Sequence, residues 1–486
     1  MKVTSTHHKN SRWPIALAFL FALKVLIFSA GYPLFNTTDE FPNFDTALKQ
    51  GRGYSYYDTT FTYDTLTLKI SHEVQSKNYL LGEFQNPDFL DLLSLQYNTK
   101  WEDYLSIFSK ITHQQAHSSP FYYATYGAIF YALPESWSPF AKVYTLRFLN
   151  SIFAFFLLWL IVKSLLIIFQ NLWIGIAGGI LLISIPQSIY YFINIDILSA
   201  LTTAWCFYLT LKLIHRQTWL LVLAFGAISA FAVIIKASAL IAVATCFMLI
   251  LFSLKASSIV MKLKIMGAAF FSFILLLIPP FMHRLNAGVG LFATQRKIEI
   301  LTWKEKAIED YFPHILGTVS GINEFFMHSW KSWWSGESLW HGAPAYNDVW
   351  KVYFSIISLL FLAAFLSITW MNRKDRDLRQ NMRYTSWTCI LGYFLLFAYL
   401  SVKYDFGDCV YPSNFFPIFV SGRLMLGMLF PFIFLCIDTF TVFFKKPKKV
   451  LTYMLVFGVL HFAIELSVTG DVFSDNKNYF HQVLHF

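Results

Sequence analysis

Long apolar runs follow one another along this chain, and short loops that carry many of the basic residues separate them. About 20 consecutive apolar residues are enough for a helix to cross the hydrocarbon core of a bilayer. Hydrophobic residues fill 56% of the 486 positions and charged residues only 14%, which excludes a soluble globular enzyme, a disordered chain and a nucleic-acid module. We therefore expect an all-α polytopic membrane protein. The apolar runs cover residues 14–30, 119–135, 147–169, 172–192, 196–214, 219–235, 238–254, 263–282, 350–371, 384–404, 424–444 and 450–468.

Two hydrophilic stretches interrupt the apolar runs and divide the chain into five parts. The parts are an N-terminal cytoplasmic tail with the first transmembrane helix, a first outer loop, a central transmembrane bundle, a second outer loop, and C-terminal transmembrane helices with a short outer tail. They cover residues 1–35, 36–118, 119–282, 283–349 and 350–486, respectively. Small residues at Ser29–Gly31 also suit a cleaved signal peptide, but the further spans favour an uncleaved anchor.

The basic loops predict the topology, because cytoplasmic loops carry an excess of Lys and Arg. This rule also accounts for the net charge of +10 without a nucleic-acid partner. It places both long loops and the C-terminus outside and the N-terminus inside, with about 11 spans. The count requires that one segment before Lys212 does not cross, and we expect 119–135 to be a half-span or interfacial helix; alternatively, the cluster at 212–216 is not cytoplasmic. The basic clusters are Lys212/His215/Arg216, Lys255/Lys262/Lys264, the run 373–383, and Lys445/Lys446/Lys448/Lys449.

Two adjacent carboxylates, Asp39 and Glu40, follow the first apolar run at the predicted outer surface. A carboxylate beside an apolar wall has a raised pKa, as a general base requires. At a loop or helix start, one of the two can act as the base while the other orients it or binds a metal. The alternative is an ordinary solvated start of an acidic loop.

Further chemistry-bearing residues lie where apolar runs meet the predicted outer surface. Lys236 interrupts an apolar stretch, and an ionisable residue at that depth is a functional candidate unless it snorkels to the interface. Asp196 and a lipid phosphate are its candidate partners. His117 can titrate or bind phosphate, whereas Tyr122 also suits a membrane anchor. Arg147 and Arg423 complete the basic set, and no Cys or His spacing indicates a zinc site.

The second outer loop contains Arg296 and a set of tryptophans. Aromatic rings stack on sugars and also sit at membrane interfaces, so composition does not separate these two uses. The segment 330–340 has the composition of a stretch that lies on the membrane. Its tryptophans are Trp330, Trp333, Trp334 and Trp340.

Four short motifs resemble those of the GT-C superfamily of membrane glycosyltransferases, and most closely the bacterial DUF2142-type membrane proteins. The first is Thr38-Asp39-Glu40 with the following residues to Ala47, similar to the Asp-Glu motif of the first outer loop. The others are His117-Ser118-Ser119-Pro120-Phe121-Tyr122-Tyr123, Ile185-Pro186 with Asn194-Ile195-Asp196, and Val420-Ser421-Gly422-Arg423. The resemblance implies a GT-C-like bundle with two large outer-face loops in the bacterial inner membrane.

The resemblance also implies an activity. A sugar would pass from a polyprenyl-phosphate donor to a glycan, lipid or protein acceptor of the cell envelope, with inversion at the anomeric carbon. Asp39 would be the catalytic base and Glu40 would assist, while metal dependence varies in the superfamily and stays open. The donor phosphate would meet Lys236, Arg423, Arg147 and Arg296, and the substrate would meet His117, Tyr122 and Asp196.

Two other functional classes stay open at this point. A lipid or sugar transporter or flippase would carry ionisable residues at mid-membrane in several helices. Here they concentrate near the predicted outer boundary and in two outer loops, which favours an enzyme acting at that face. A non-catalytic membrane assembly factor would tolerate the loss of Asp39.

Overall fold

Helices account for nearly all the regular structure of the protein. This computed structural model describes residues 12–35, 39–54, 62–74, 100–109, 120–254, 258–286, 303–337, 348–371, 378–406 and 418–484, with 288, 290, 298, 339–340, 343–344 and 346. The α-helices are α1 (Trp13–Gly31), α2 (Glu40–Gly51), α3 (Thr65–Val74), α4 (Trp101–Phe108), α5 (Pro120–Ala132), α6 (Pro139–Phe169), α7 (Leu172–Ile183), α8 (Asp196–His215), α9 (Trp219–Ile235), α10 (Ala239–Ser253), α11 (Ile259–Asn286), α12 (Val319–Ser335), α13 (Asp348–Met371), α14 (Leu378–Lys403), α15 (Leu429–Phe444), α16 (Pro447–Phe473) and α17 (Tyr479–Gln482). Two short antiparallel strand pairs join β1 (Lys304–Glu305) to β4 (Tyr404–Asp405) and β2 (Leu339–Trp340) to β3 (Ala343–Pro344).

Seven helical stretches among the described residues are long and apolar enough to cross a membrane. They are α1, α6, α8, α11, α14, α16 and the stretch Gly422–Phe444, which joins a 3₁₀ helix (Gly422–Met428) to α15. Shorter apolar helices accompany them, namely α7, α9, α10 and the segment Val352–Ile368 of α13. The prediction of an all-α integral membrane protein is confirmed. Seven helices among the described residues have the length and hydropathy that a membrane span requires, whereas about 11 spans were predicted.

The apolar run at 172–192 is not one helix, which corrects the prediction of a continuous span there. Helix α7 ends at Ile183, and the chain runs irregularly to Asp196 except for a 3₁₀ turn at Ser188–Tyr190. Pro186 explains the break, because the residue before a proline is disfavoured in the α conformation and proline lacks an N–H donor. The irregular segment is buried almost throughout.

Three side chains from two helices satisfy the backbone of this broken segment. Asn43 of α2 donates from Nδ2 to the carbonyl of Ile193 (2.9 Å), and Asn150 of α6 donates to the carbonyl of Phe192 (2.5 Å). Glu40 accepts from the N–H of Ile193 at 3.2 Å. Non-helical backbone is tolerated at membrane depth only where protein groups or water pair with it, and these contacts meet that requirement.

Helix α5 covers the segment 119–135 that was expected not to cross. Its 13 residues span about 20 Å, which is shorter than the hydrocarbon core of about 30 Å. The first-loop helix α2 packs directly on it: a Cβ placed on Gly127 of α5 would lie 2.7 Å from Cα of Gly51. Two short helices thus cover the end of the bundle where α1 finishes and α6 begins.

Two tryptophans of the second hydrophilic stretch lie inside the protein, contrary to the interpretation of 330–340 as a segment seated on the membrane. Trp333 and Trp334 of α12 are fully buried. Their rings lie 5.3 and 5.6 Å from the ring of Phe432 in α15, and Trp334 also stacks on Phe361 of α13. Helix α12 is therefore packed into the bundle by its aromatic residues.

Candidate functional site

Arg423 lies between two carboxylates that come from opposite halves of the chain. Its Nη1 is 2.5 Å from Oδ2 of Asp39, and its Nε is 2.7 Å from Oε2 of Glu337. Asp39 directly precedes α2, Glu337 follows α12, and Arg423 is the second residue of the 3₁₀ helix before α15. The fold therefore brings two of the predicted site residues, Asp39 and Arg423, into direct contact.

Asp39 has an unusual backbone conformation, with φ of +70° and ψ of −12°. The left-handed region is rare for residues other than glycine, although Asp and Asn tolerate it better than most. Such conformations cost about 1–3 kcal/mol and cluster at active sites and ligand clamps. The side chain keeps 11% of its surface exposed, whereas that of Arg423 keeps only 2%. The carboxylate is thus held in place and still reachable.

Glu40, in contrast to Asp39, lies entirely inside the protein. It is the first residue of α2 and is completely buried. It accepts from Nε and Nη2 of Arg147 (both 2.6 Å) and from the backbone N–H of Phe35 (2.9 Å). Adjacent side chains at a helix start point in different directions. Here Glu40 binds Arg147 inside the protein, whereas Asp39 contacts Arg423.

Arg147 donates all five of its N–H groups to acceptors within the protein. Besides its two bonds to Glu40, Nη1 donates to the carbonyls of Ser29 (3.1 Å) and Tyr32 (2.6 Å), and Nη2 donates to the carbonyl of Pro33 (2.7 Å). The residue is fully buried. This leaves Arg147 no donor for a phosphate, so the arrangement suits a positioning residue that ties the end of α1 to α2 and α6.

The tyrosines at the start of α5 also lie inside the protein. Tyr122 is 1% exposed, and its ring stacks on Tyr126 with a centroid separation of 4.2 Å. Tyr123 donates to Oδ1 of Asn43 (2.7 Å), and Tyr126 donates to Oδ1 of Asn150 (2.5 Å). Tyr122 therefore packs inside the protein against the two tyrosines that bind these asparagines, and it is not exposed as a membrane anchor would be.

Lys236 and Asp196 form an ion pair, so the candidate partner named from the sequence is the one that the structure shows. Asp196 opens α8 and Lys236 ends α9 as its C-cap. The lysine side chain is 20% exposed and the carboxylate 5%. His117 and Arg296, the two other predicted site residues, lie outside the described residues.

Glu337 is the site residue that the sequence analysis missed. It also accepts a hydrogen bond from the hydroxyl of Ser421, directly before the Gly422–Arg423 pair. Helix α12 holds this segment closely, because the Gly422 N–H donates to Oγ of Ser332 (2.7 Å). The available signal for Glu337 in the sequence was a single acidic residue after a run rich in tryptophan. Its contact with Arg423 depends on how α12 packs, which the sequence pattern does not reveal.

A second buried ion pair lies within the spans. Nζ of Lys24 in α1 is 2.6 Å from Oε2 of Glu465 in α16 and donates to the carbonyl of Ile183 (2.7 Å), the last residue of α7. Tyr191 donates to the same glutamate (2.5 Å). Lys24 thus supplies a hydrogen bond to the C-terminal end of α7, where the helix breaks. This is a structural role for a charged residue within the spans.

Comparisons with known protein families, with curated proteins and with solved structures find no match for this chain. Within the part of the chain that the structure describes, no group of three or more His, Cys, Asp or Glu side chains is arranged to hold a metal ion. The case for a function therefore rests on the geometry of Asp39, Arg423 and Glu337 and on the surrounding charges.

Proposed function

We propose that the protein is an inverting membrane glycosyltransferase of GT-C type. It transfers a sugar from a polyprenyl-phosphate donor to a glycan, lipid or protein acceptor of the cell envelope. The proposal includes about 11 spans in a bacterial inner membrane, with the N-terminus cytoplasmic and the C-terminus and both long loops periplasmic. The observation that carries it is the contact between Asp39, a reachable carboxylate in a strained backbone, and the buried guanidinium of Arg423.

Asp39 deprotonates the acceptor hydroxyl, which then attacks the anomeric carbon. Proton transfer to a positioned base contributes about 10²–10⁴-fold to rate. Glu40 assists indirectly, because its bonds to Arg147 fix the start of α2 and thereby the position of its neighbour Asp39. In this proposal Arg147 acts as a positioning residue and does not contact the donor.

Arg423 stabilises the charge on the leaving phosphate. A planar guanidinium recognises phosphate through two parallel N–H donors, and a preorganised cation in a site of low dielectric stabilises developing negative charge. In the free protein, the carboxylates of Asp39 and Glu337 are paired with this guanidinium. Lys236 supplies a second positive charge, held by Asp196. The lipid tail of the donor remains in the surrounding bilayer.

The proposal is tested with purified full-length protein in detergent and short-chain polyprenyl-phosphate sugars. We expect Asp39→Asn to lower hydrolysis or transfer by about 10²-fold or more, because the amide keeps a contact with Arg423 but cannot accept the proton. The matched control is Asp471→Asn, which makes the same change at an exposed position. Donor binding is measured alongside turnover for each protein.

Two outcomes count against parts of the proposal, and a third keeps it. Unchanged turnover in Asp39→Asn would move the base to another residue. No turnover and no donor binding by the wild-type protein would favour a flippase or a non-catalytic assembly factor. Donor binding without turnover would keep the donor assignment and show that the acceptor is required.

A further inference from the structure

Two lysines from neighbouring helices meet at the end of the bundle opposite Arg423. Lys163 lies near the C-terminal end of α6 and Lys212 in the last turn of α8, and the two helices pack against each other. Both side chains are half-buried. The fold thus holds two positive charges together at the membrane boundary.

Neither ammonium group has an acidic partner among the residues that the structure describes. Each instead lies over an aromatic ring one turn back on its own helix: Nζ of Lys163 is 6.0 Å from the ring centroid of Trp159, and Nζ of Lys212 is 5.4 Å from that of Tyr208. The two rings lie 6.1 Å apart. These contacts keep the lysine stems together, because residues four apart share one face of a helix.

An exposed apolar stripe continues from the lysines toward the middle of the bundle. On α6, Ile152 and Phe156 precede Trp159 at helical spacing and are 51% and 47% exposed. On α8, Trp205 precedes Tyr208 by three residues and is 40% exposed. A cationic pair above an apolar stripe matches a molecule with an anionic head and a hydrocarbon tail.

We propose that this surface binds an anionic phospholipid. The headgroup phosphate lies between the ammonium groups of Lys163 and Lys212, and an acyl chain lies along the stripe. Basic sites between helices recognise anionic headgroups in this way. A free phosphate ion would leave the stripe unused. The proposal does not depend on the proposed glycosyltransferase activity.

The test compares lipid retention by the full-length protein in native mass spectrometry. The protein is placed in nanodiscs of phosphatidylcholine with phosphatidylglycerol, and the lipid that remains bound is identified. We expect the wild type to retain phosphatidylglycerol over phosphatidylcholine by about tenfold or more, as two lysines near a surface provide. Lys163→Gln/Lys212→Gln abolishes this preference, and Lys163→Arg/Lys212→Arg keeps it.

The control is Lys448→Gln/Lys449→Gln, which removes two exposed lysines from the start of α16 at the same end of the bundle. It should keep the preference. Equal losses in the two glutamine variants would mean that general surface charge attracts the lipid, and would overturn the proposal. So would an unchanged preference in Lys163→Gln/Lys212→Gln, or displacement of the lipid by millimolar inorganic phosphate, which would indicate a site for the free anion.

Discussion

Glu40 and Arg147 form a buried charge pair that the protein has fully satisfied with hydrogen bonds. Removing one partner leaves the other charge buried without compensation, which typically costs about 3–5 kcal/mol. We expect Glu40→Gln to lower the free energy of unfolding by about that amount, because Arg147 then loses its counter-charge. Denaturant unfolding of the purified protein, followed by tryptophan fluorescence, measures the change.

The matched control is Glu305→Gln. Glu305 pairs with Lys403 at 3.1 Å, but its side chain is 61% exposed, and exposed pairs contribute about 1 kcal/mol or less. A loss in Glu40→Gln no larger than the loss in Glu305→Gln would show that the buried pair is not a structural element of the site.

Sequence reasoning identified Asp39, Glu40, Arg147, Arg423 and Lys236 as charged residues near one membrane boundary, but it named a candidate partner within the protein only for Lys236. Residue types and the predicted boundary were enough to select them. Partners depend on where α2 begins, because its start at Glu40 turns that carboxylate inward and leaves its neighbour in the left-handed conformation. No local pattern marks that start, since the acids there are not N-caps of the usual kind.

At the scale of elements, α12 and the 3₁₀ helix at Gly422–Met428 meet through a glycine. A Cβ on Gly422 would lie 2.5 Å from the carbonyl carbon of Ser332 and 2.7 Å from Cα of Trp333, so the backbones would have to separate. We expect Gly422→Ala to lower turnover in the polyprenyl-phosphate assay at least tenfold, because Arg423 moves with its segment. The same assay on wild type and variant measures this.

The matched control is Gly470→Ala in α16, where an added Cβ meets no atom within 4 Å. Alanine is the better helix former, so this variant should be at least as stable as the wild type and equally active. Full activity in Gly422→Ala would mean that α12 does not position Arg423.

The lengths of apolar runs predicted most of the long helices but not their interruptions. An apolar run indicates that a segment is buried in protein or lipid. It does not distinguish a helical backbone from an irregular one. The segment 172–192 shows this, since its end is irregular and yet buried among Asn43, Asn150 and Glu40. Pro186 was the local signal of the break, and its consequence depends on partners far away in the sequence.

For the whole molecule, the proposed topology predicts which end of the bundle faces the cytoplasm. We expect Arg216→Cys, after α8, to react with a membrane-impermeant maleimide only in permeabilised cells, and Asn476→Cys, after α16, to react in intact cells. Both positions are exposed. Cys206, Cys246, Cys389 and Cys436 are buried and give little background, and Cys409 is replaced by Ser in both variants. Labelling of both variants in intact cells would contradict the topology.

The contact of Asp39 and Glu337 with Arg423 has a consequence for biosynthesis. The ribosome makes the chain from the N-terminus, so both acids are made and inserted before Arg423, the residue that pairs with them. Until the segment at Gly422–Met428 is made, two like charges, one directly before α2 and one directly after α12, lack the guanidinium that pairs with both. The site is therefore completed only at the end of synthesis, and a chain cut short before Arg423 cannot assemble it even if its earlier helices are all in place.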